Sequence, residues 1–401
     1  MTLVDIADIE DARARLTGVV RPTPVEPSDH LSASVGRPVF LKPEHRQLTG
    51  SYKIRGAYNK ISRLPSGIEV VAASAGNHGQ GVARAAHLTS RRATIFMPVT
   101  AALPKIEATR ADGADVRLVG SVVDESLAAA RAYAEESGAT LVHPFDDPLV
   151  IAGQGTVGLE IADESPADIE TVVVPIGGGG LISGIATALA HARPGVRVVG
   201  VQASGAAAMR AALVAGSCVK LDRIATIADG VAVKSVSDLT LEHVQKYVAD
   251  VVTVDDDEIS ETLLLLLERA KAVVEPAGAV AVAALRAGKV SGSGPAVALL
   301  SGGNVDPLLL TRLIEHGLTA AGRYLLLRIV LDDRPGALAA VTGAVAKLGL
   351  NVMEVEHHRV GLKLGVEKVE VLFTVETRDP EHRDQVVRAL RAEGFEVELQ
   401  A

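Results

Sequence analysis

The sequence has little cysteine and few aromatic residues, and it has no tryptophan. A single cysteine, Cys218, excludes a disulfide within the chain, and no cysteine–histidine group has the spacing of a zinc site. Aromatic residues make up 2% of the 401 residues, too few for the stacking surfaces that bind single-stranded nucleic acid. The 49 acidic residues outnumber the 40 basic ones, and the net charge of −9 argues against general binding to nucleic acid or to anionic membranes.

Long apolar runs and a leader-like start are also missing. No uninterrupted apolar run approaches the roughly 18 residues of a membrane-spanning helix. The first turns of the chain are acidic and periodic, unlike the basic and then apolar start of a signal peptide. We therefore expect a cytoplasmic protein with no membrane partner, no nucleic-acid partner and no metal site. With 48% apolar and 22% charged residues, the chain has the composition of a globular protein of two or three domains.

The order of apolar and small residues predicts an α/β fold. Short apolar segments such as Val70–Ala73 and Thr171–Pro175 precede glycine-rich turns and alanine-rich helices, as in open parallel sheets. The helix after Val70–Ala73 is predicted at Gly81–Leu88. After about Gly322 the pattern changes to one βαββαβ unit, in which a loop at Gly361–Gly365 is predicted to join the two middle strands. We place the boundary near residues 316–323. The prediction is a first domain at 1–320, with a smaller lobe at about 50–145 inserted in a larger one, and a second domain at 324–401.

The segment S-Y-K-I-R-G-A at residues 51–57 contains the first candidate for chemistry. Lys53 stands beside Tyr52 and between two glycines. A lone lysine is most often a solvated surface residue. A partly buried lysine amine, however, has a lowered pKa and can form a Schiff base with an aldehyde cofactor.

Two glycine-rich loops follow predicted strands. In the first, S-A-G-N-H-G-Q-G at residues 74–81, a tight turn explains the glycines but not Asn77 and His78. Backbone amides there, with Ser74, Asn77 and His78, are candidates for binding a carboxylate. The second loop consists of Gly177, Gly178, Gly179 and Gly180 before Leu181. Because G-x-G-x-x-G fails in every register, this loop favours a small phosphate over a dinucleotide.

A fourth segment, S-G-G-N at residues 301–304, follows the last buried strand. Ser301 could be only a helix cap. Together, however, the four segments supply what pyridoxal phosphate needs: a lysine, a phosphate cradle, a group for the phenolic oxygen and a partner for the ring nitrogen. We therefore predict pyridoxal 5'-phosphate as the cofactor.

From about Pro22 to Gly317 the chain resembles the fold-type II pyridoxal-phosphate enzymes, which share the fold of the tryptophan synthase β subunit. The threonine/serine ammonia-lyase and serine racemase branch is the most similar. The resemblance rests on the four segments above and on A-G-Q-G-T, A-D-G and E-P-A-G-A at residues 152–156, 228–230 and 275–279, all in the family's order. It implies a threonine ammonia-lyase that converts L-threonine to 2-oxobutanoate and ammonia, with L-serine giving pyruvate. The role would be isoleucine synthesis or threonine breakdown.

The resemblance also implies a role for each candidate residue. The cofactor would be held by Lys53, which is also the catalytic base, with Tyr52 stacked on the ring, Asn77 at the phenolic oxygen, Ser301 at the ring nitrogen and residues 177–181 at the phosphate. Ser74, Asn77 and His78 would bind the substrate carboxylate.

Other activities stay open at this stage. A serine racemase needs a second base, and its branch has a serine where this chain has Ala75. Racemases also have a glutamate where this chain has Gln202, which disfavours a divalent cation site. A serine ammonia-lyase, an inactive amino-acid sensor and a β-replacement enzyme such as a cysteine synthase are further alternatives.

The C-terminal unit resembles an ACT domain, with D-R-P-G-A-L at residues 333–338 as its mark. The resemblance implies a regulatory amino-acid site between copies, bordered by Gly336 and Asn351. Isoleucine or valine is the expected effector, and a homodimer or homotetramer the expected assembly. A dimerisation module that binds nothing is the alternative.

Overall fold

The computed structural model describes residues 2–320, 322–359, 365 and 367–400, and it divides into two compact units, 1–309 and 310–401. The helices are α1 (Ile6–Leu16), α2 (Asp29–Val35), α3 (Lys53–Ile61), α4 (Asn77–Leu88), α5 (Leu103–Ala111), α6 (Val123–Ser137), α7 (Pro148–Glu164), α8 (Gly180–Ala192), α9 (Ala208–Ala215), α10 (Asp238–Tyr247), α11 (Asp256–Glu268), α12 (Pro276–Arg286), α13 (Pro307–Ala320), α14 (Ala337–Lys347) and α15 (Pro380–Ala392). The strands are β1 (Glu26–Pro27), β2 (Val39–Lys42), β3 (Val70–Ala73), β4 (Ala93–Met97), β5 (Asp115–Leu118), β6 (Thr140–Leu141), β7 (Thr171–Pro175), β8 (Arg197–Ala203), β9 (Asp250–Val254), β10 (Ala296–Leu299), β11 (Tyr324–Asp332), β12 (Val352–His358), β13 (Lys368–Glu376) and β14 (Glu396–Leu399).

The first unit contains two sheets. The larger has the strand order β1-β2-β10-β7-β8-β9, with every pair parallel except β1–β2. The smaller has the order β5-β4-β3-β6 and is parallel throughout. Strands β3, β4, β7 and β10 are buried along their whole length because helices cover both faces. Ligands gather at the carboxyl ends of such strands, and three of the candidate segments follow β3, β7 and β10.

Glycines bring helix α7 into close contact with α3 and α8. A Cβ at Gly153 would lie 2.6 Å from the carbonyl oxygen of Arg55, on α3. One at Gly184 would lie 2.4 Å from the carbonyl oxygen of Ile151 and 2.5 Å from the amide nitrogen of Gly155. The glycines of A-G-Q-G-T therefore serve packing, since any side chain there would push the helices apart.

A buried cluster of charges fixes the other side of α3. Arg55 is fully buried and donates to both carboxylate oxygens of Glu44, at 2.7 and 2.8 Å. It also donates to both oxygens of Glu160 on α7, at 2.6 and 2.9 Å. Lys42 on β2 completes the cluster through Glu160 at 2.7 Å and Glu164 at 3.1 Å. Burial disfavours the charge of Arg55, yet these carboxylates raise its pKa above the ordinary value.

The second unit is a four-stranded antiparallel sheet, β12-β13-β11-β14, with α14 and α15 packed on one face. Side chains of β11 and β13 alternate between this core and the other face, as in a sheet covered on one side. Leu327, Phe373 and Leu390 are among its core residues. The βαββαβ order predicted from the sequence is confirmed, although its predicted loop at 361–365 lies, except for residue 365, outside the described residues.

The predicted α/β class and the parallel sheets are confirmed. One detail is wrong: the helix after β3 begins at Asn77 and not at Gly81. Gly79 and Gly81 are helical, and glycine suits both positions because Ile95 and the backbone of Lys53 lie 3.0 Å from where a Cβ would be. In the part of the chain that the structure describes, no helix combines the length and apolarity needed to cross a membrane.

We predict that Gly184→Ala lowers the free energy of unfolding of the first unit by about 1–3 kcal/mol, because the new methyl group meets backbone atoms that cannot move aside. The matched control is Gly343→Ala on α14, where a Cβ meets no atom within 4 Å. That change should stabilise the second unit by roughly 0.5–1 kcal/mol through helix propensity. Calorimetry of the two variants checks both signs, and an unchanged first unit in Gly184→Ala would contradict the packing argument.

Candidate active site

Lys53 is the first residue of α3, and its side chain is half-buried. Its Nζ lies 3.2 Å from the carbonyl oxygen of Pro144 and 5.2 Å from the centre of the Tyr52 ring. Burial lowers the pKa of Lys53 to about 8, although the carboxyl of Glu275 opposes the shift. An amine with such a pKa is partly neutral at physiological pH, as a nucleophile or a base requires.

The loop after β3 turns directly into α4. Ser74 is buried, and its Oγ accepts a hydrogen bond from the Gly76 amide at 3.1 Å. The His78 ring is also buried, with Nε2 2.8 Å from the carbonyl oxygen of Val142. Burial and the positive charge of Lys53 lower the pKa of His78 to about 3, so the ring is neutral and donates to that carbonyl. What His78 offers to a ligand at this helix N-terminus is therefore its backbone amide.

The four-glycine loop between β7 and α8 leaves no room for side chains. A Cβ at Gly178 would lie 2.2 Å from the Phe145 ring, and one at Gly180 would lie 2.9 Å from Phe145 Cα. Gly179 has a φ of +96°, which other residues rarely adopt. The loop is thus bare backbone leading into the N-terminus of α8, where amide groups and the helix dipole favour an anion.

The segments at residues 50–52 and 301–303 run antiparallel beside Lys53. The Tyr52 amide donates to the Ser301 carbonyl oxygen at 3.2 Å, and Ser51 pairs with Gly302. Ser301 is buried, with its Oγ 3.5 Å from the carbonyl oxygen of Ala277. The fully buried Ser51 Oγ has no hydrogen-bond partner among the described residues. A buried hydroxyl of this kind fits a site that a polar ligand completes.

A second set of polar residues adjoins the Asn77 side chain. Glu275 is 2% exposed, and its Oε1 accepts from Asn77 Nδ2 at 2.5 Å. Burial and the charge of Asp229 raise the pKa of Glu275 to about 7, while Lys105 and the bond from Asn77 oppose the rise. Lys105 and Asp229 form an ion pair at 2.5 Å. Together with Glu275 and Asn304 they line a cavity of about 210 Å³.

Residues 16–302 match the family described as pyridoxal-phosphate dependent enzyme, and residues 325–395 match the ACT domain. The chain belongs to the pyridoxal-phosphate dependent enzyme family. Its cofactor is pyridoxal phosphate, as the sequence predicted, and its C-terminal unit carries an ACT domain.

Several relatives are similar over almost their whole length. An L-threonine ammonia-lyase of Thermotoga maritima is 46% identical over 99% of this chain and 100% of its own, and one of Geobacter sulfurreducens is 45% identical over 98% of each chain. Among solved structures, the processed form of threonine deaminase isoform 2 from Solanum lycopersicum is 37% identical, with a TM-score of 0.73 over 79% of this chain and 90% of its own. Maize serine racemase is 36% identical, with a TM-score of 0.74 over 80% of this chain and 99% of its own.

The residues present fit the cofactor of this family of pyridoxal-phosphate dependent enzymes. Lys53 supplies an amine of lowered pKa, the glycine loop supplies amide donors without side chains, and Ser51 supplies a buried hydroxyl without a partner. The individual roles predicted for Tyr52, Asn77 and Ser301 are not tested by this arrangement and stay predictions.

No role was predicted for Glu275, Asp229 or Asn304, although the motifs E-P-A-G-A, A-D-G and S-G-G-N contain them. The feature of the sequence that could have revealed these three residues is a polar residue inside a motif of otherwise small residues.

Gln202, at the position of the doubted cation site, is fully buried. Its Nε2 donates to the Ala206 carbonyl oxygen at 3.3 Å, and its Oε1 accepts from the Arg210 amide at 2.9 Å. Among the described residues, no group of three or more histidine, cysteine, aspartate or glutamate side chains could hold a metal ion.

We predict that buried His78 makes the stability of the first unit sensitive to acid. An unfolded histidine takes up a proton near pH 6.5, whereas folded His78 does so only at about pH 3. The unfolded state therefore binds more protons between these values, and the stability that is present above pH 6.5 is lost as the pH falls. Between pH 7.5 and 5.5 the loss should be about 1.4 kcal/mol for this residue.

Urea unfolding at the two pH values checks this prediction. His78→Gln should reduce the pH dependence by that amount, and His30→Gln, at an exposed position, is the control for the substitution itself. Equal pH dependence in wild type and His78→Gln would show that His78 is not held neutral in the folded protein.

Proposed function

We propose that this chain is a threonine ammonia-lyase, which converts L-threonine to 2-oxobutanoate and ammonia and accepts L-serine as a second substrate. The observation that carries the proposal is the position of Lys53. Its partly neutral amine stands at the start of α3, in a chain that is 46% identical over 99% of its length to an L-threonine ammonia-lyase. The same likeness supports a role in isoleucine synthesis or threonine breakdown.

The proposed roles of the residues follow their chemistry. Pyridoxal phosphate, when bound, supplies an aldehyde for the amino group and a ring that withdraws electrons from the Cα–H bond. Lys53 Nζ would hold the cofactor and then accept the Cα proton. The amides of residues 177–181 would hold the phosphate, Asn77 the phenolic oxygen, and the 74–78 loop the substrate carboxylate. Tyr52 would stack on the ring, and the neutral Ser301 hydroxyl would face its nitrogen.

Two features favour elimination over racemisation. Racemisation needs a second proton-carrying group on the opposite face of the substrate, and Ala75 has none. A neutral serine at the ring nitrogen, unlike a carboxylate, does not stabilise a full positive charge there. Prompt loss of the β-hydroxyl is the outcome that such a site supports.

We further propose that the ACT domain senses isoleucine or valine and that the chain forms a homodimer or homotetramer in the cytoplasm. Gly336, with a φ of +90°, caps α14, and Asn351 precedes β12 and donates to Glu376 at 2.9 Å. The edge strand β12 exposes the apolar side chains of Val352, Met353 and Val355, which supports assembly through this edge. The proposed domains are 1–320, with a smaller lobe at about 50–145, and 324–401.

The decisive variant for the catalytic proposal is Lys53→Ala. Loss of the amine should reduce 2-oxobutanoate release from L-threonine roughly a thousandfold or more, because it removes both the cofactor linkage and the base. The control is the exposed Lys246→Ala. Release of oxo acid is followed for L-threonine and L-serine, together with visible absorbance of the bound cofactor. Full activity in Lys53→Ala, or no oxo acid from wild type with cofactor bound, would overturn the proposal.

The regulatory proposal predicts that isoleucine or valine alters the rate of threonine deamination and binds to the second unit. Asn351→Ala should raise the effector concentration for half-maximal effect about tenfold, through loss of a site contact. Lys347→Ala, also on the surface of this unit, is the control. Calorimetric titration measures binding directly, and absence of any binding by either amino acid would leave the ACT domain as an assembly module.

A further inference from the structure

The amide of Asn77 is held at both ends. Its Oδ1 accepts a hydrogen bond from Asn304 Nδ2 at 2.9 Å, and its Nδ2 donates to Glu275 Oε1 at 2.5 Å. A flipped amide would place two NH₂ groups together at one end and two oxygens together at the other. Two NH₂ groups form no hydrogen bond with each other, and the two oxygens form none while Glu275 is ionised, so the Asn77 amide then has one favourable orientation.

Asn304 is itself fixed by the segment that precedes Lys53. Its Nδ2 lies 2.8 Å from the Thr49 carbonyl oxygen and 3.1 Å from Gln80 Oε1. A Cβ at Gly50 would lie 2.3 Å from Asn304 Oδ1, so only a glycine leaves space for this side chain. The donor end of Asn304 therefore has to face Asn77.

Glu275 is fixed in the same way at the other end. It is buried at the start of α12, and a Cβ at Gly302 would lie 2.2 Å from its Oε1 and 3.0 Å from Asn77 Nδ2. Gly302 thus makes room for the bond between the two side chains. In the described part of the chain, no hydrogen bond engages the second N–H of Asn77, which leaves that group free to meet a ligand.

We propose that Asn304 and Glu275 are positioning residues that orient the Asn77 amide, so that its second N–H is presented to the phenolic oxygen of the bound cofactor. The proposal rests on the proposed function, since it takes Asn77 as the residue at that oxygen. It extends the site to two residues from distant segments that act through Asn77.

The charge of Glu275 gives this arrangement a measurable signature. Three charged groups face its carboxyl: Asp229 from the turn before α10, Lys105 from α5 and Lys53 from α3. The Glu275 carboxyl gains and loses its proton in the neutral pH range, because burial and the charge of Asp229 raise its pKa to about 7. A carboxylate near an acidic oxygen disfavours the anionic form of that oxygen. Removing the charge should therefore move the protonation of the cofactor to lower pH.

The test uses the holoenzyme and two isosteric variants. Glu275→Gln keeps an acceptor oxygen for Asn77 but removes the charge, and the pH midpoint of the cofactor's absorbance change should fall by roughly half a unit or more. Asn304→Asp replaces the donor to Asn77 by an acceptor. The Kd of the apoprotein for pyridoxal phosphate should then rise about tenfold, the effect of one lost hydrogen bond.

Asp306→Asn is the matched control, because it removes a carboxylate from the wall of the same cavity without contacting Asn77. Its midpoint and Kd should equal those of wild type. A merely structural role would lower the unfolding temperature of the variants and leave the midpoint in place. A wild-type midpoint in Glu275→Gln would overturn the role of Glu275, and a wild-type Kd in Asn304→Asp would overturn that of Asn304.

Other outcomes separate this proposal from the proposed function. If circular dichroism shows that Asn304→Asp does not fold, the midpoint of Glu275→Gln decides. If wild type binds the cofactor but releases no oxo acid from L-threonine, the lyase proposal fails, while the midpoint shift still supports the positioning role. A wild type that binds no pyridoxal phosphate overturns both proposals.

Discussion

The buried contact between Arg55 and its carboxylates is the constraint on which the site depends. Arg55 follows Lys53 by two residues on α3, so the two side chains leave the helix on nearly opposite sides. Bidentate bonds to Glu44 and Glu160 fix the far side of the helix against the turn that follows β2 and against α7. A buried arginine without these partners would be very unfavourable. The favoured rotation of α3 about its axis is therefore the one that places Arg55 against both carboxylates. That rotation places the Lys53 amine beside the carbonyl oxygen of Pro144, and the next residue, Phe145, packs against the glycine loop.

The fold also depends on glycine, because a residue without a side chain lets one backbone segment approach another closely. Gly153 and Gly184 bring three helices into contact, and Gly81 lets α4 pass close to the backbone of Lys53. The loop at residues 177–180 uses the same property to expose amides. One residue type thus supports both packing and ligand binding, and a glycine-rich motif does not by itself distinguish the two. A-G-Q-G-T serves the first, whereas G-G-G-G-L has the features of the second.

Much of the fold could be predicted from the sequence, because parallel strands are continuously apolar and end at recognisable loops. The family and the cofactor could be predicted from the motifs. The start of α4 could not, because Gly79 and Gly81 have the appearance of turn residues until Ile95 and Lys53 are seen to approach them. The contact of Glu275 with Asn77 joins residues 198 positions apart, and no local pattern contains it. The predicted roles of Tyr52, Asn77 and Ser301 concern a ligand and stay predictions.

Burial explains why the site has two groups that titrate in the neutral range. It disfavours the charged form of any group, so it lowers the pKa of Lys53 to about 8 and raises that of Glu275 to about 7. Each group opposes the shift of the other, because their charges attract. The amine is therefore available in its neutral form while the carboxyl still carries charge over part of the pH range. A fully charged amine could not act as a base, so the lowered pKa of Lys53 suits its amine to accept a proton.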